Sequence, residues 1–169
     1  MSRGFTLLEL LITVLVLAAI LSVAVPSFHN LQLNSQMHRA ANELNGFLNQ
    51  ARSEAIWRNR DLWAHFTFTS SPVLAKDWTV TLTDSDTRGE GNKILFLQGT
   101  SFKDLQLDWT YTADRIKFDG LRGRIKDGSL SFYPKGHASQ ALLVKSSYAG
   151  NRIMLCALSE SRYGFPNCA

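Results

Sequence analysis

The sequence predicts an α+β fold, a long N-terminal helix packed on an antiparallel β domain. Three observations carry that prediction. Residues 5–25, FTLLELLITVLVLAAILSVAV, form an apolar run whose one ionisable residue is Glu9. Apolar residues then recur at three- and four-residue spacings as far as Ala55, the period of a helix with one buried face. From Leu62 onward the period is two, and turn residues interrupt it at short intervals. A chain of 169 residues has room for one domain and one appended element. With 45% apolar and 19% charged residues it is too apolar for a disordered chain. The polar remainder excludes a multi-span membrane protein, and the apolar run excludes a plain cytosolic enzyme.

The first element is residues 5–25. At the helical rise this run spans roughly 31 Å, close to the ~30 Å hydrocarbon core of a bilayer. Three readings compete for it. A secretory signal peptide would have a shorter apolar region and a small-residue cleavage site, and Pro26-Ser27-Phe28 offers none. A generic single-pass anchor leaves Glu9 unexplained, because a carboxylate near the centre of a span costs roughly 2.5–3.5 kcal/mol. The third reading explains both oddities: residues 1–4 are a leader, processing falls between Gly4 and Phe5, and Glu9 becomes the fifth residue of the mature chain. Arg3 is the only charge before the span, which orients the N-terminus to the cytoplasm and residues 61–169 to the periplasm.

Residues 26–60 continue the helix as an amphipathic half. Leu31, Met37, Ala40, Ala41, Leu44, Phe47, Leu48, Ala51 and Ala55 make the apolar stripe. Asn34, Gln36, Arg39, Asn42, Glu43, Asn45, Gln50, Arg52 and Glu54 make the polar face. Pro26 lacks a backbone donor and is expected to kink or locally melt the helix. Eight short strands follow, over residues 62–69, 77–83, 93–98, 105–111, 115–119, 129–133, 141–146 and 152–157. Ser70-Ser71-Pro72, Gly89-Glu90-Gly91-Asn92, Asp119-Gly120, Asp127-Gly128, Pro134-Lys135-Gly136 and Gly150-Asn151 separate them. Asp127-Gly128 carries the pattern of a hairpin turn.

Gly4-Phe5-Thr6-Leu7-Leu8-Glu9-Leu10, an apolar stretch and then Pro26 resemble the N-terminus of type IV pilins and pseudopilins. The resemblance implies cleavage after Gly4 by prepilin peptidase, N-methylation of Phe5, and insertion in the inner membrane. It also implies a role for Glu9 in assembly: its carboxylate neutralises the Phe5 ammonium of a neighbouring subunit. Residues 48–59, LNQARSEAIWRN, resemble the helix end of the type II secretion protein H (GspH) and FimT/FimU group of minor pilins. Ile116-Lys117-Phe118-Asp119-Gly120 and Gly150-Asn151-Arg152-Ile153 resemble that group's β domain. The implied function is structural: a subunit in the tip or initiation complex of a type IV pilus or a type II secretion pseudopilus, with other major and minor subunits as partners. Some FimT members bind DNA through a late glycine-arginine-x-arginine element. Here Asn151 follows Gly150 and Met154 stands where the second arginine would align, which counts against DNA binding.

No catalytic motif is found, so the chain is read as a non-enzyme without cofactor or metal. His29, His38, His65 and His137 have no metal-ligand spacing. Asp84, Asp86 and Glu90 share a loop with Arg88, and a solvated turn is preferred to a calcium site. Cys156 and Cys168 are the only cysteines, and in an exported domain they are expected to bridge. The charge is lopsided. Residues 115–169 hold nine Lys/Arg against three Asp/Glu, and residues 1–114 hold nine against eleven. Arg122, Arg124, Lys126 and Arg152, with Arg115 and Lys117 nearby, are the candidate contacts to DNA phosphates, and Tyr133, Tyr148 and Tyr163 the candidate stacking groups. The preferred reading is a basic face that meets acidic partner subunits or keeps the domain soluble.

Overall fold

A computed structural model describes residues 5–68, 78–102 and 104–168, apart from the side chains at positions 26, 27 and 29. The expected turn at Ser70-Ser71-Pro72, Gly4 of the processing site, and the strand ends at Thr69 and Asp77 lie outside the described residues. The chain divides into two units, Met1–Ser35 and Gln36–Ala169. Helix α1, Leu7–Arg58, supplies the first unit and opens the second.

In the first unit the helix begins two residues later than the pattern predicts. Thr6 is the reason: its Oγ1 accepts the Glu9 N–H at 3.2 Å, and its carbonyl accepts the Leu10 N–H at 3.1 Å. A threonine that caps the first turn sits outside it. Among the described residues α1 is the one helix long and apolar enough to cross a membrane, and none of its most apolar window is buried. Thr13 and Ser22 donate their hydroxyls to the Leu10 and Ala19 carbonyls, at 2.8 and 2.7 Å. Both hydroxyls are thereby satisfied within the helix. The helix assignment continues through Pro26.

In the second unit Met37, Ala40, Ala41, Leu44, Phe47, Leu48, Ala51 and Ala55 are buried, as the stripe predicts. Leu31 is exposed and belongs to the first unit. The helix ends where Asn59 turns left-handed, at φ 50°. Arg60 N–H then bonds to the Ala55 carbonyl at 3.2 Å and Asn59 N–H to the Ile56 carbonyl at 3.0 Å. This is the Schellman arrangement, with asparagine in the place glycine usually holds.

The strands are β1 Leu62–Phe68, β2 Trp78–Thr83, β3 Lys93–Gln98, β4 Leu105–Trp109, β5 Arg115–Phe118, β6 Gly128–Pro134, β7 Leu142–Ser147 and β8 Arg152–Ala157. Each lies within a residue or two of its expected place. They form two four-stranded sheets, β3-β2-β1-β5 and β4-β6-β7-β8, antiparallel throughout. Alternate residues point inward: Leu62, Ala64 and Phe66 from β1, Val80 and Leu82 from β2, Ile116 and Phe118 from β5. From the second sheet come Leu107, Leu130, Phe132, Leu142 and Val144. These join the helix stripe in a single core cluster. The alternation is what a sheet with one buried face requires.

One turn differs from expectation. Asp127-Gly128 does not make a hairpin, because β5 pairs with β1 and β6 pairs with β4 and β7. The chain folds back on β5 earlier, around residues 119–124. Asp119 N–H bonds to the Arg124 carbonyl at 2.8 Å, Lys126 N–H to the Lys117 carbonyl at 3.1 Å, and Phe118 bridges Ile125. The residues at 127–128 serve the crossing to the second sheet. The Asp127 carboxylate accepts the Tyr148 N–H at 2.7 Å, and a Cβ at Gly128 would overlap the Tyr111 ring. A two-residue turn signal carries local conformation and no information about which strands it joins.

Candidate functional site

The turn at 119–124 is pinned to the end of α1. Gly120 N–H donates to Asp61 Oδ1 at 3.1 Å, and a Cβ at Gly120 would collide with the Arg60 backbone. Gly123 adopts φ +60° against Ile56, where a side chain has neither space nor a relaxed backbone. Arg52 holds the neighbouring β7–β8 turn, donating to the Asn151 carbonyl at 3.3 Å. Asn151 itself has φ 46°, a conformation asparagine tolerates.

Between β1, β5, this turn and Tyr148 lies a cleft of about 410 Å³. Its cations are Arg115 and Lys117 from β5 and Arg124 and Lys126 from the connection that follows. Trp63 of β1 faces Lys117, whose Nζ stands 5.8 Å from the ring centre. Tyr148 faces Arg124, whose guanidinium carbon stands 5.0 Å from the ring. Each ring therefore has one cation within the range of cation–π attraction.

The four cations differ in their counter-charges. Lys117 pairs with Asp61 at 2.6 Å. That contact raises the Lys117 pKa and, with the Gly120 N–H, lowers that of Asp61, burial opposing both. Both side chains are more than a third exposed, so the pair adds little stability. Arg115 pairs with Asp86 at 3.6 Å and donates to the Asp86 carbonyl. Among the described residues Arg124 and Lys126 have no ion pair; Lys126 donates to the Thr112 hydroxyl. Asp119 and Asp127 lie at the same cleft.

Of the candidate DNA contacts, the structure brings Arg124 and Lys126 together and leaves Arg122 and Arg152 exposed outside the cleft lining. Among the candidate tyrosines only Tyr148 joins them. The Tyr133 hydroxyl donates to Asp108 at 2.6 Å and the Tyr163 hydroxyl to Gln140 at 3.0 Å. Trp63 was not singled out by sequence; its place on the outward phase of the β1 alternation was the available signal. The acidic loop is built inward. Asp84 accepts the backbone and side-chain N–H groups of Asn92, at 2.6 and 3.1 Å, which lower its pKa. His65 is buried and donates from Nε2 to the Ser85 carbonyl at 2.9 Å.

At the other end of the domain Cys156 and Cys168 are bonded, with Cα atoms 5.0 Å apart. The tail returns beside β8: Ala157 N–H bonds to the Pro166 carbonyl at 2.7 Å and Cys168 N–H to the Ala157 carbonyl at 3.0 Å. Phe165 packs against the core and lies 5.2 Å from the His38 ring. In the first unit Phe5 and Glu9 are exposed.

A long N-terminal helix on two antiparallel sheets, with an apolar exposed first half, is a pilin-like fold. The sequence model of the family described as Type II transport protein GspH matches residues 40–156, and that of the prokaryotic N-terminal methylation motif matches residues 1–25. The chain belongs to the GspH family, among the minor pilins and pseudopilins. Similar solved structures include the type IV minor pilin FimU of Pseudomonas aeruginosa in two crystal forms. One has a TM-score of 0.59 at 20% identity, covering 74% of this chain and 94% of that one. The other has 0.55 at 20%, covering 72% and 97%. The minor pseudopilin EpsH from the type 2 secretion system of Vibrio cholerae gives 0.49 at 18%, covering 74% and 99%. No curated protein matches by sequence.

Proposed function

We propose that this chain is a processed minor pilin or pseudopilin, a non-enzymatic subunit in the tip or initiation complex of a type IV pilus or type II secretion pseudopilus. One observation carries the reading: an apolar segment bearing the methylation motif, without cover from its own chain, precedes a GspH-family domain. In this reading residues 1–4 are the leader and prepilin peptidase cuts between Gly4 and Phe5. Phe5 is then N-methylated, residues 5–25 cross the inner membrane with a kink at Pro26, and residues 61–169 lie in the periplasm. Glu9 neutralises a neighbour's amino terminus, which removes the cost of a lone carboxylate in the bilayer. Mass spectrometry of the mature protein should find N-methyl-Phe5 as the first residue. An intact Met1, or cleavage after Pro26, would refute the reading. Glu9→Ala should insert normally and fail to enter the filament.

A second reading, a pilus-associated DNA-binding subunit for DNA uptake, is favoured by Arg124 and Lys126 standing together without carboxylate partners. It predicts binding to duplex DNA that weakens steeply with salt and falls in an Arg122/Arg124/Arg152 triple alanine variant.

A further inference from the structure

We infer that the cleft between β1, β5 and Tyr148 is a receptor for a carboxylate on an acidic peptide segment, presented by a neighbouring subunit of the filament. The inference starts from how the cleft's charges are used. Asp61 and Asp86 engage Lys117 and Arg115, which leaves Arg124 and Lys126 as the cleft's cations without an ionic partner among the described residues. Arg124 is held over the Tyr148 ring, and Tyr148 is fixed in turn by its N–H on Asp127. Lys126 is held on the Thr112 hydroxyl. Two half-buried cations positioned by their surroundings lose little freedom when an anion arrives, and charge-assisted hydrogen bonds to a carboxylate are the strong ones.

The same geometry selects among anions. A nucleic-acid strand needs open aromatic faces for its bases and an unbroken positive track for its phosphates. Here each ring already holds a cation, so a base stacking on that face would have to displace Arg124 or Lys117. Asp119 and Asp127 in the lining would repel a run of phosphates. A single carboxylate needs neither condition, and about 410 Å³ is room for side chains rather than for a duplex. The acidic side chains in the lining also discriminate, because a second like charge beside the bound one is disfavoured. The source of the carboxylate rests on the proposed role as an assembly subunit; the cleft's chemistry does not.

The test uses the full-length protein in a neutral detergent, titrated by calorimetry at low and physiological salt. The ligands are an end-blocked glycine peptide bearing a single glutamate, its glutamine counterpart, and a short single-stranded oligonucleotide. The glutamate peptide should bind, weaken with salt, and lose about tenfold or more in affinity in both Arg124→Gln and Lys126→Gln. Arg122→Gln, outside the cleft, should bind like the parent, and all variants should keep the parent's melting temperature. No binding of the glutamate peptide, equal binding of the glutamine peptide, or an equal loss in Arg122→Gln would overturn the inference. So would tighter binding of the oligonucleotide that is lost in Arg124→Gln. Filament incorporation is scored separately, so the cleft and the assembly role can fail independently.

Discussion

Breaking the Cys156–Cys168 bridge should loosen the tail before it loosens the sheets. The two residues are 12 apart, and closing a loop of that size in the unfolded chain is worth about 3 kcal/mol in the chain-entropy model. In the folded protein the tail is held by the backbone bonds at Ala157 and Cys168, by the Tyr163–Gln140 hydrogen bond and by Phe165 on the core. Each such hydrogen bond nets about 1 kcal/mol, while ordering each tail residue costs about 1–2 kcal/mol in backbone entropy. Those contacts cannot order residues 158–168 unaided. The Cys156→Ser/Cys168→Ser double variant should therefore melt roughly 10 °C lower, as about 3 kcal/mol implies for a unit of this size. Thermal scans of the full-length protein in detergent, oxidised, reduced and doubly substituted, would measure this. Hydrogen exchange adds the order of events. The amides of Ala157 and Cys168 should lose protection while those of Phe132 and Val144, deep in the second sheet, keep theirs. An unchanged melting temperature with an unchanged tail would refute the reasoning, and so would uniform loss of protection across both sheets.

Other perturbations probe the core and the turn. Burial pushes the Tyr111 hydroxyl up to about 12, its bond to Ser146 opposing only in part. A raised folded-state pKa means stability is complete below pH 10 and falls as pH rises toward 12. Alkaline titration should cost on the order of 3 kcal/mol more in the parent than in Tyr111→Phe, and equal pH profiles would contradict this. Gly120→Val should cost about 1–3 kcal/mol by denaturant titration, because the new side chain meets the Arg60 backbone. Phe66→Ala removes a fully buried ring stacked 4.9 Å from Trp109 and should cost about 3–5 kcal/mol in the same assay.

Much of the fold was legible because periodicity reports burial directly. The helix stripe and the eight strands are one-dimensional patterns, and the core realises them nearly residue by residue. The helix start was displaced because Thr6 prefers to cap, a side-chain choice that an apolar count ignores. The hairpin at Asp127-Gly128 failed for a different reason. Turn propensity is local, whereas the choice between β1 and β6 as the partner of β5 is settled by which sheet buries Ile116 and Phe118. The basic region shows the same limit. Counting found Arg122, Arg124, Lys126 and Arg152, and only a three-dimensional arrangement could separate the pair in the cleft from the pair outside it. Nor does sequence reveal that Asp61 and Asp86, 56 and 29 residues from the β5 cations they engage, have already been taken by Lys117 and Arg115.

That separation changes what net charge means here. Residues 115–169 look strongly basic when charges are summed, yet each β5 cation facing the cleft is matched by a carboxylate from the earlier part of the chain. Within the cleft, and among the described residues, the cations without an ion pair are Arg124 and Lys126. A diffuse basic surface attracts any polyanion, with affinity set by ionic strength. In the receptor proposed for the cleft, two positioned cations beside two carboxylates would favour an anion of limited size over an extended one. The first unit follows a parallel logic. Its Thr13 and Ser22 hydroxyls are satisfied within the helix, its most apolar window is uncovered, and Glu9 is the one ionisable residue of the 5–25 run. Glu9 and the Arg124–Lys126 pair are the discrete charges that the proposed assembly role would offer to an external partner. In the proposed role as a filament subunit, discrete contacts of that kind would fix one register, where diffuse charge would allow many equally well.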